Sequence, residues 1–169
     1  MKLYKRENYL SKIRGFYHDP ELIKVITGVR RSGKSCLMEM IISELKESGI
    51  KDNQIIYIDL DKRGYKSIKT PEQLETLIES LSKTKKLKYV FIDEIQNVKN
   101  FEEIINGFRG EGDYSIFITG SNSYLLSGEL VTKLTGRYLE FEILPLSFEE
   151  YLGLKRFLKK PTKDNITEE

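Results

Sequence analysis

Cysteine, histidine and long apolar runs are all scarce in these 169 residues. The single cysteine, Cys36, excludes an internal disulfide. The single histidine, His18, gives no basis for a histidine-rich metal site. No apolar run approaches the roughly 20 residues that a membrane-spanning helix needs. The opening Met1-Lys2-Leu3-Tyr4-Lys5-Arg6 lacks the apolar stretch of a signal peptide. An excess of one charge is missing too: 28 Lys plus Arg face 26 Asp plus Glu, a net charge of +2. That surplus gives no strong electrostatic argument for nucleic acid or membrane, although a local basic patch is compatible with it. The expectation is a soluble, cytoplasmic protein with no membrane partner.

What is present is enough apolar sequence for one domain with a core, at 39% of residues. Spacing divides it into alternating elements. Leu3, Tyr4, Tyr9, Leu10, Ile13 and Phe16 fit a short amphipathic helix over 3–16. Leu22 to Thr27 reads as a buried strand ending at Gly28, and Lys34 to Glu47 as a helix stopped near Gly49. Gln54 to Leu60 is a second strand. Thr70-Pro71-Glu72-Gln73 has the cap, first-turn proline and capping-box glutamine of a helix start. Leu87 to Ile92 is a third strand, and the helical face from Phe101 to Phe108 ends at Gly110 and Gly112. Tyr114 to Thr119 is a fourth strand. One or two short helices are expected over 121–134, a fifth strand from Tyr138 to Leu144, and a helix from Ser147 to Leu154. Strands separated by helices imply a parallel sheet covered on both faces, with ligands at the carboxyl ends of its strands.

Chemistry concentrates at those ends. Gly28-Val29-Arg30-Arg31-Ser32-Gly33-Lys34-Ser35 has the form G-x-x-x-x-G-K-[ST], between a strand and a helix. Its glycines permit the backbone to turn N–H groups inward, and the helix start adds its positive dipole end. Lys34 reaches the β- and γ-phosphates and Ser35 ligates Mg²⁺ in such a loop. An accidental match has odds on the order of one in a hundred at average composition. Arg30 and Arg31 have two readings, contact with a ligand or neighbour and plain solvation. Cys36 reads as a small packed residue rather than a nucleophile.

Tyr89 to Ile92 is an apolar run that closes on Asp93 and Glu94. Asp93 at a strand end suits the Mg²⁺ shell, and Glu94 suits the attacking water, which favours hydrolysis over transfer to an organic acceptor. The role of Gln96 is open. In Ile118-Thr119-Gly120-Ser121-Asn122-Ser123, Ser121 and Asn122 are candidates to sense the γ-phosphate, and equally candidates for simple helix caps. Arg137, in Gly136-Arg137-Tyr138, is either an arginine finger supplied to a neighbouring subunit or an internal salt-bridge partner. The basic stretch Lys83 to Lys88 reads as a solvated face more readily than as a nucleic-acid site. The guanine-reading pattern Asn-Lys-x-Asp is absent.

Together, the segments at 28–35, 91–96, 118–123 and 134–138, with Pro-Leu-Ser-Phe-Glu-Glu-Tyr at 145–151, resemble the AAA-type ATPases of prokaryotes. The likeness extends over roughly residues 6–155 and is nearest to ATP-binding proteins related to the STAND class. It implies an α/β, three-layer P-loop NTPase with a five-stranded parallel sheet in AAA+ order 5-1-4-3-2. It assigns Gly28, Arg30, Arg31, Ser32, Gly33, Lys34, Ser35 and Cys36 to the ATP cradle, and Ser35 and Asp93 to Mg²⁺. Catalysis falls to Glu94, Lys34, Asn122 and Arg137, the last acting across a homo-oligomer. The segment before the first strand borders adenine in this class, which makes Arg6 and Tyr9 candidates for base contact. The expected organisation is an N-terminal helical segment 1–20, a core 21–155 and a polar tail 156–169 that opens a missing C-terminal region. The implied function is Mg-dependent ATP hydrolysis coupled to conformational or assembly change. The alternatives are a nucleotide-gated switch with little turnover and a small-molecule kinase. The protein or DNA client is not legible.

Overall fold

The computed structural model describes residues 3–120, 133, 134 and 136–158. Helix α1 (Glu7–Ile13) precedes strand β1 (Ile23–Thr27), followed by α2 (Lys34–Glu47), β2 (Ile55–Asp59) and α3 (Pro71–Leu81). Then come β3 (Lys88–Asp93), α4 (Phe101–Glu111), β4 (Tyr114–Thr119), β5 (Tyr138–Glu142) and α5 (Phe148–Phe157). All strand pairs are parallel, in the spatial order β2-β3-β4-β1-β5. From the other edge this is 5-1-4-3-2, the order implied by the resemblance.

The central strands β1, β3 and β4 are buried at every position, as a parallel sheet covered on both faces requires. Period-two alternation divides their side chains. Val25, Val90, Ile92 and Ile118 pack with Leu74 and Ile78 of α3 and Phe101 and Ile105 of α4. Ile26, Phe91 and Phe117 face Leu10 and Ile13 of α1 and Leu37, Met38 and Ile41 of α2. Phe91 and Phe117 stack at 4.5 Å across that second layer. No helix among the described residues is long and apolar enough to cross a membrane.

Local structure departs from the spacing in three places. Helix α4 continues through Gly110 and closes on Gly112 alone, at φ 78°, where a Cβ is disfavoured. Helix α5 runs three residues past Leu154 because Phe157 finds an apolar partner, Tyr4, at a ring separation of 5.9 Å. The helix expected over 3–16 is α1 followed by a 3₁₀ turn, Arg14–Phe16. Of the stretch 121–134, only Lys133 and Leu134 lie within the described residues, so the candidates Ser121 and Asn122 lie outside them.

Among the charged side chains of the described residues, Lys24 lies deepest in the core. Lys24 of β1 is fully buried, and its Nζ donates to the Asp19 carbonyl at 2.6 Å and to Ser115 Oγ at 2.8 Å. It sits 4.7 Å from the centre of the Phe117 ring. Burial pushes its pKa down from 10.5 to about 7, with Asp19 opposing only in part. Below about 7 the folded state holds a buried charge; between about 7 and 10.5 the unfolded chain binds the extra proton. Stability therefore rises with pH through that window. Urea denaturation should show a midpoint that climbs between pH 7 and 9.5 in the wild type. In Lys24→Met it should be higher at pH 7 and flatter, because an apolar side chain replaces a costly charge. An equal pH slope in the two proteins would contradict this account of Lys24.

Candidate functional site

β1 delivers its last residue, Thr27, to the carboxyl edge of the sheet, and the chain turns there through 28–33 into α2. The turn uses backbone conformations that favour glycine: Gly28 has φ 146° and Gly33 φ 102°. Arg31 also takes a positive φ, 68°, in spite of its side chain. A Cβ on Gly28 would collide with the Ile143 carbonyl oxygen and lie 2.7 Å from Ser32 Oγ. Gly33 caps α2 without a side-chain bond, so the first-turn N–H groups of the helix keep their capacity for an anion. Lys34 is buried and folds its Nζ over the loop, donating to the carbonyls of Gly28 at 3.0 Å and Val29 at 3.3 Å. Ser32 Oγ is buried and has no hydrogen-bond partner among the described residues. Ser35 is half-buried, whereas Val29, Arg30, Arg31 and Cys36 are exposed. An orphan hydroxyl, an ammonium and open helix N–H groups around one loop fit a phosphate chain.

Register aligns the remaining groups with this loop. Asp59 pairs with Asp93, Ile92 with Ile118, and Ile26 with Thr119, so the ends of β2, β3, β4 and β1 form one row. Alternation puts Asp93, Thr119 and Tyr57 on the α2 face, the side of Lys34 and Ser35. Asp93 is buried and accepts hydrogen bonds from the Thr119 hydroxyl and, at 3.4 Å, from the Tyr57 hydroxyl. Two of its roughly four lone-pair sites remain, which suits a carboxylate meant to hold a hydrated cation. Thr119 Oγ1 also accepts the Glu94 N–H at 3.0 Å. Glu94 stands in a left-handed conformation, φ 58° and ψ 50°, and its carboxylate accepts a bond from Gln96 Nε2.

The acidic field is visible in neighbouring groups. Burial, then the charges of Asp93, Asp59 and Glu39, raise the Tyr57 phenol well above its usual pKa. Partial desolvation of its sulfur, although the residue as a whole is exposed, then the charges of Glu39 and Asp93, push the Cys36 thiol up, which disfavours the thiolate. Among the described residues no cluster of three or more His, Cys, Asp and Glu could hold a metal, so Ser35 and Asp93 are the donors to weigh.

Of the other sequence candidates, Arg137 falls elsewhere, whereas Arg6 and Tyr9 lie beside the loop. Arg137 is exposed at the start of β5, where its carbonyl accepts the N–H of Ile23, the first residue of β1. It therefore lies at the amino edge of the sheet, opposite its own loop. Arg6 is buried and makes four hydrogen bonds: Nη1 donates to the Ser32 carbonyl at 2.9 Å, Nη2 to the Leu144 carbonyl at 3.0 Å, and Nε and Nη2 to the Glu150 carboxylate at 2.9 Å. Its guanidinium also lies 4.4 Å from the Tyr9 ring, whose hydroxyl accepts the Leu144 N–H at 3.2 Å. Arg6 and Tyr9 are thus a clamp that ties the loop to the start of α5. Apolar lining comes from other residues: an apolar cavity of about 310 Å³ beside the loop is bordered by Leu3, Tyr4, Cys36, Met40, Leu154 and Phe157.

Thr119, Tyr57 and the Arg6–Glu150 pair were not singled out by sequence reasoning. For Thr119 a signal existed, its parity with the buried Phe117 at the end of an apolar strand. For Arg6 and Glu150, 144 residues apart, none did.

Residues 20–152 match the profile of a known domain, described as an AAA domain. The chain belongs to the AAA domain family. An uncharacterized protein of Haemophilus influenzae is 43% identical to it over 154 residues, covering 90% of this chain and 38% of that one. An uncharacterized protein of Methanocaldococcus jannaschii is 44% identical over 147 residues, covering 87% and 32%. The chain thus spans about a third of the length of these relatives. AMPPCP-bound DnaA from Aquifex aeolicus superposes with a TM-score of 0.59 at 18% identity, over 98% of this chain and 56% of that one. A DNA polymerase III gamma subunit-related protein from Thermotoga maritima gives 0.59 at 15%, over 88% and 49%. At those identities the likeness is one of fold. Membership of the AAA domain family supports an ATPase-like nucleotide-binding function for the chain.

The clamp is open to a direct test. In Arg6→Met, Glu150 loses its cation while remaining largely screened from water, with only 14% of its side chain exposed. Stability should fall by on the order of 3 kcal/mol in urea denaturation, and amide exchange in α5 should accelerate ahead of the sheet.

Proposed function

We propose that this AAA domain binds ATP with Mg²⁺ and hydrolyses it. The observation that carries the reading is the shared row at one sheet edge: the 28–35 loop after β1 with its ammonium and orphan hydroxyl, and Asp93 and Glu94 at the end of β3, with only β4 between the two strands. The loop N–H groups and Lys34 take the β- and γ-phosphates, which draws Nζ from its carbonyl partners to the anion. Gly28, Ser32 and Gly33 shape that cradle, and the exposed Arg30 and Arg31 flank it. Ser35 and Asp93 would hold Mg²⁺, which would supply charge neutralisation to the phosphates. Thr119 and Tyr57 keep the Asp93 carboxylate fixed. Glu94 takes a proton from water as its oxygen bonds to the γ-phosphorus and the bond to the β-phosphate oxygen breaks. ADP and phosphate leave. The base occupies the apolar cavity beside the loop, against Leu3, Tyr4 and Cys36, with Arg6 on its border.

Coupling to conformational or assembly change follows from two connections. Ser32 in the loop shares Arg6 with Glu150 on α5, so a rearranged loop pulls on the last helix. Arg137, remote from its own site, acts on the site of another copy in a homo-oligomer, with Asn122 as the residue that senses the γ-phosphate.

Lys34→Ala should weaken ATP binding at least about tenfold, since an ammonium bonded to phosphate is lost. Glu94→Gln should bind ATP normally and release phosphate about a hundredfold more slowly. Equilibrium titration with an ATP analogue and steady-state phosphate release measure the two. Unaltered binding by Lys34→Ala would remove the cradle from the reading. Equal release by wild type and Glu94→Gln would leave a nucleotide-gated switch. Arg137→Ala should lose activity only at protein concentrations where copies assemble; a loss that persists unchanged on dilution argues against action across subunits.

A further inference from the structure

Gln96 follows the two acids and had no role in the sequence. The turn that carries it is fixed at both ends. Ile95 and Val98 are fully buried, and the Asn97 side chain donates to Asp61 Oδ1 at 3.0 Å. Between those anchors the 3₁₀ turn Ile95–Asn97 leaves Gln96 little backbone freedom. Its side chain reaches back two residues to Glu94, a reach that the left-handed conformation of Glu94 makes possible.

The chemistry of the pair sets its orientation. A carboxylate only accepts, so the Gln96 amide presents its NH₂ to Glu94 and turns its carbonyl oxygen away. That oxygen, Oε1, is buried and has no hydrogen-bond partner among the described residues. An orphaned acceptor beside a carboxylate is a place for a water molecule to donate a proton. Glu94 is thus held at two points, its N–H by Thr119 and one carboxylate oxygen by Gln96, while its second oxygen has no hydrogen-bond partner among the described residues.

We infer that Gln96 is a positioning residue for hydrolysis: it fixes the Glu94 carboxylate so that the free oxygen meets the attacking water. This rests on the hydrolase reading above. It assigns Gln96 no contact with nucleotide. Its loss therefore misplaces the base and leaves binding intact, and misplacement of a reacting group costs rate steeply.

The test combines four proteins: wild type, Glu94→Gln, Gln96→Met and the double variant. Methionine keeps the length and removes the donor; Gln96→Glu, which also cannot donate when ionised, serves as a second substitution. Single-turnover phosphate release from ATP with Mg²⁺ and titration with a fluorescent ATP analogue are measured on each. Gln96→Met should lose about ten- to a hundredfold in rate, with the dissociation constant and KM within about twofold of wild type. In the Glu94→Gln background it should cost nothing further, because residues that act as one unit are non-additive. Three results overturn the proposal: an unchanged or faster rate, an equal loss in the Glu94→Gln background, or a loss of analogue affinity. Failure of the hydrolase reading is recognised separately, by a wild type that releases no more phosphate than Glu94→Gln.

Discussion

The close approach of Gly28 to the Ile143 carbonyl governs how the loop, β5 and the last helix come together. The Ile143 N–H donates to the Thr27 carbonyl at 2.8 Å, which brings the chain leaving β5 over the loop at its first residue. No side chain fits between them. Gly28 is therefore required twice, once to turn the backbone toward an anion and once to admit the neighbouring strand. One residue later, Leu144 meets both Tyr9 and Arg6, and Arg6 returns to Ser32. The loop is held from outside by contacts that close around it, and its inner surface is left to Lys34 and the N–H groups.

A second set of contacts organises the opposite side of the site. Thr119 spends its one donor on Asp93 and accepts the Glu94 N–H, so a single hydroxyl joins the ends of β3 and β4. Its oxygen lies where water is excluded, and neither bond has a solvent substitute. The left-handed Glu94 costs on the order of 1–3 kcal/mol of backbone strain. The buried Ile95 and Val98 and the bonded Asn97 hold the turn in place against that cost.

Local chemistry was legible where its partners are close in sequence. Thr70 and Gln73 exchange the capping bonds their spacing implies, and Ser147 and Glu150 do the same. The loop at 28–35 and the acids at 93 and 94 lie at the strand ends where the spacing put them. The order of five parallel strands followed from the resemblance and stands in the structure. What remained hidden depended on distant partners. Glu150 closes the capping box of α5, yet its carboxylate also holds Arg6 from the far end of the chain. The resemblance makes Arg6 a candidate for base contact, and nothing near it in sequence shows that its guanidinium also holds Ser32, Leu144 and Glu150. Lys24 interrupts an apolar run, and only the depth of β1 explains where its ammonium goes. Gly110 and Gly112 looked alike as helix stops; the positive φ at 112 distinguishes them.

Placing Arg137 and the loop at opposite edges of the same sheet has a geometric consequence. The five residues of β1 separate the two edges by about 16 Å of strand, and both lie on neighbouring central and edge strands. A contact between this arginine on one copy and the loop on another joins two different surfaces. Two antiparallel copies related by a two-fold axis can make that contact twice, each arginine meeting the other's loop, whereas a head-to-tail arrangement leaves one unused edge at each end until it closes as a ring or repeats as a filament.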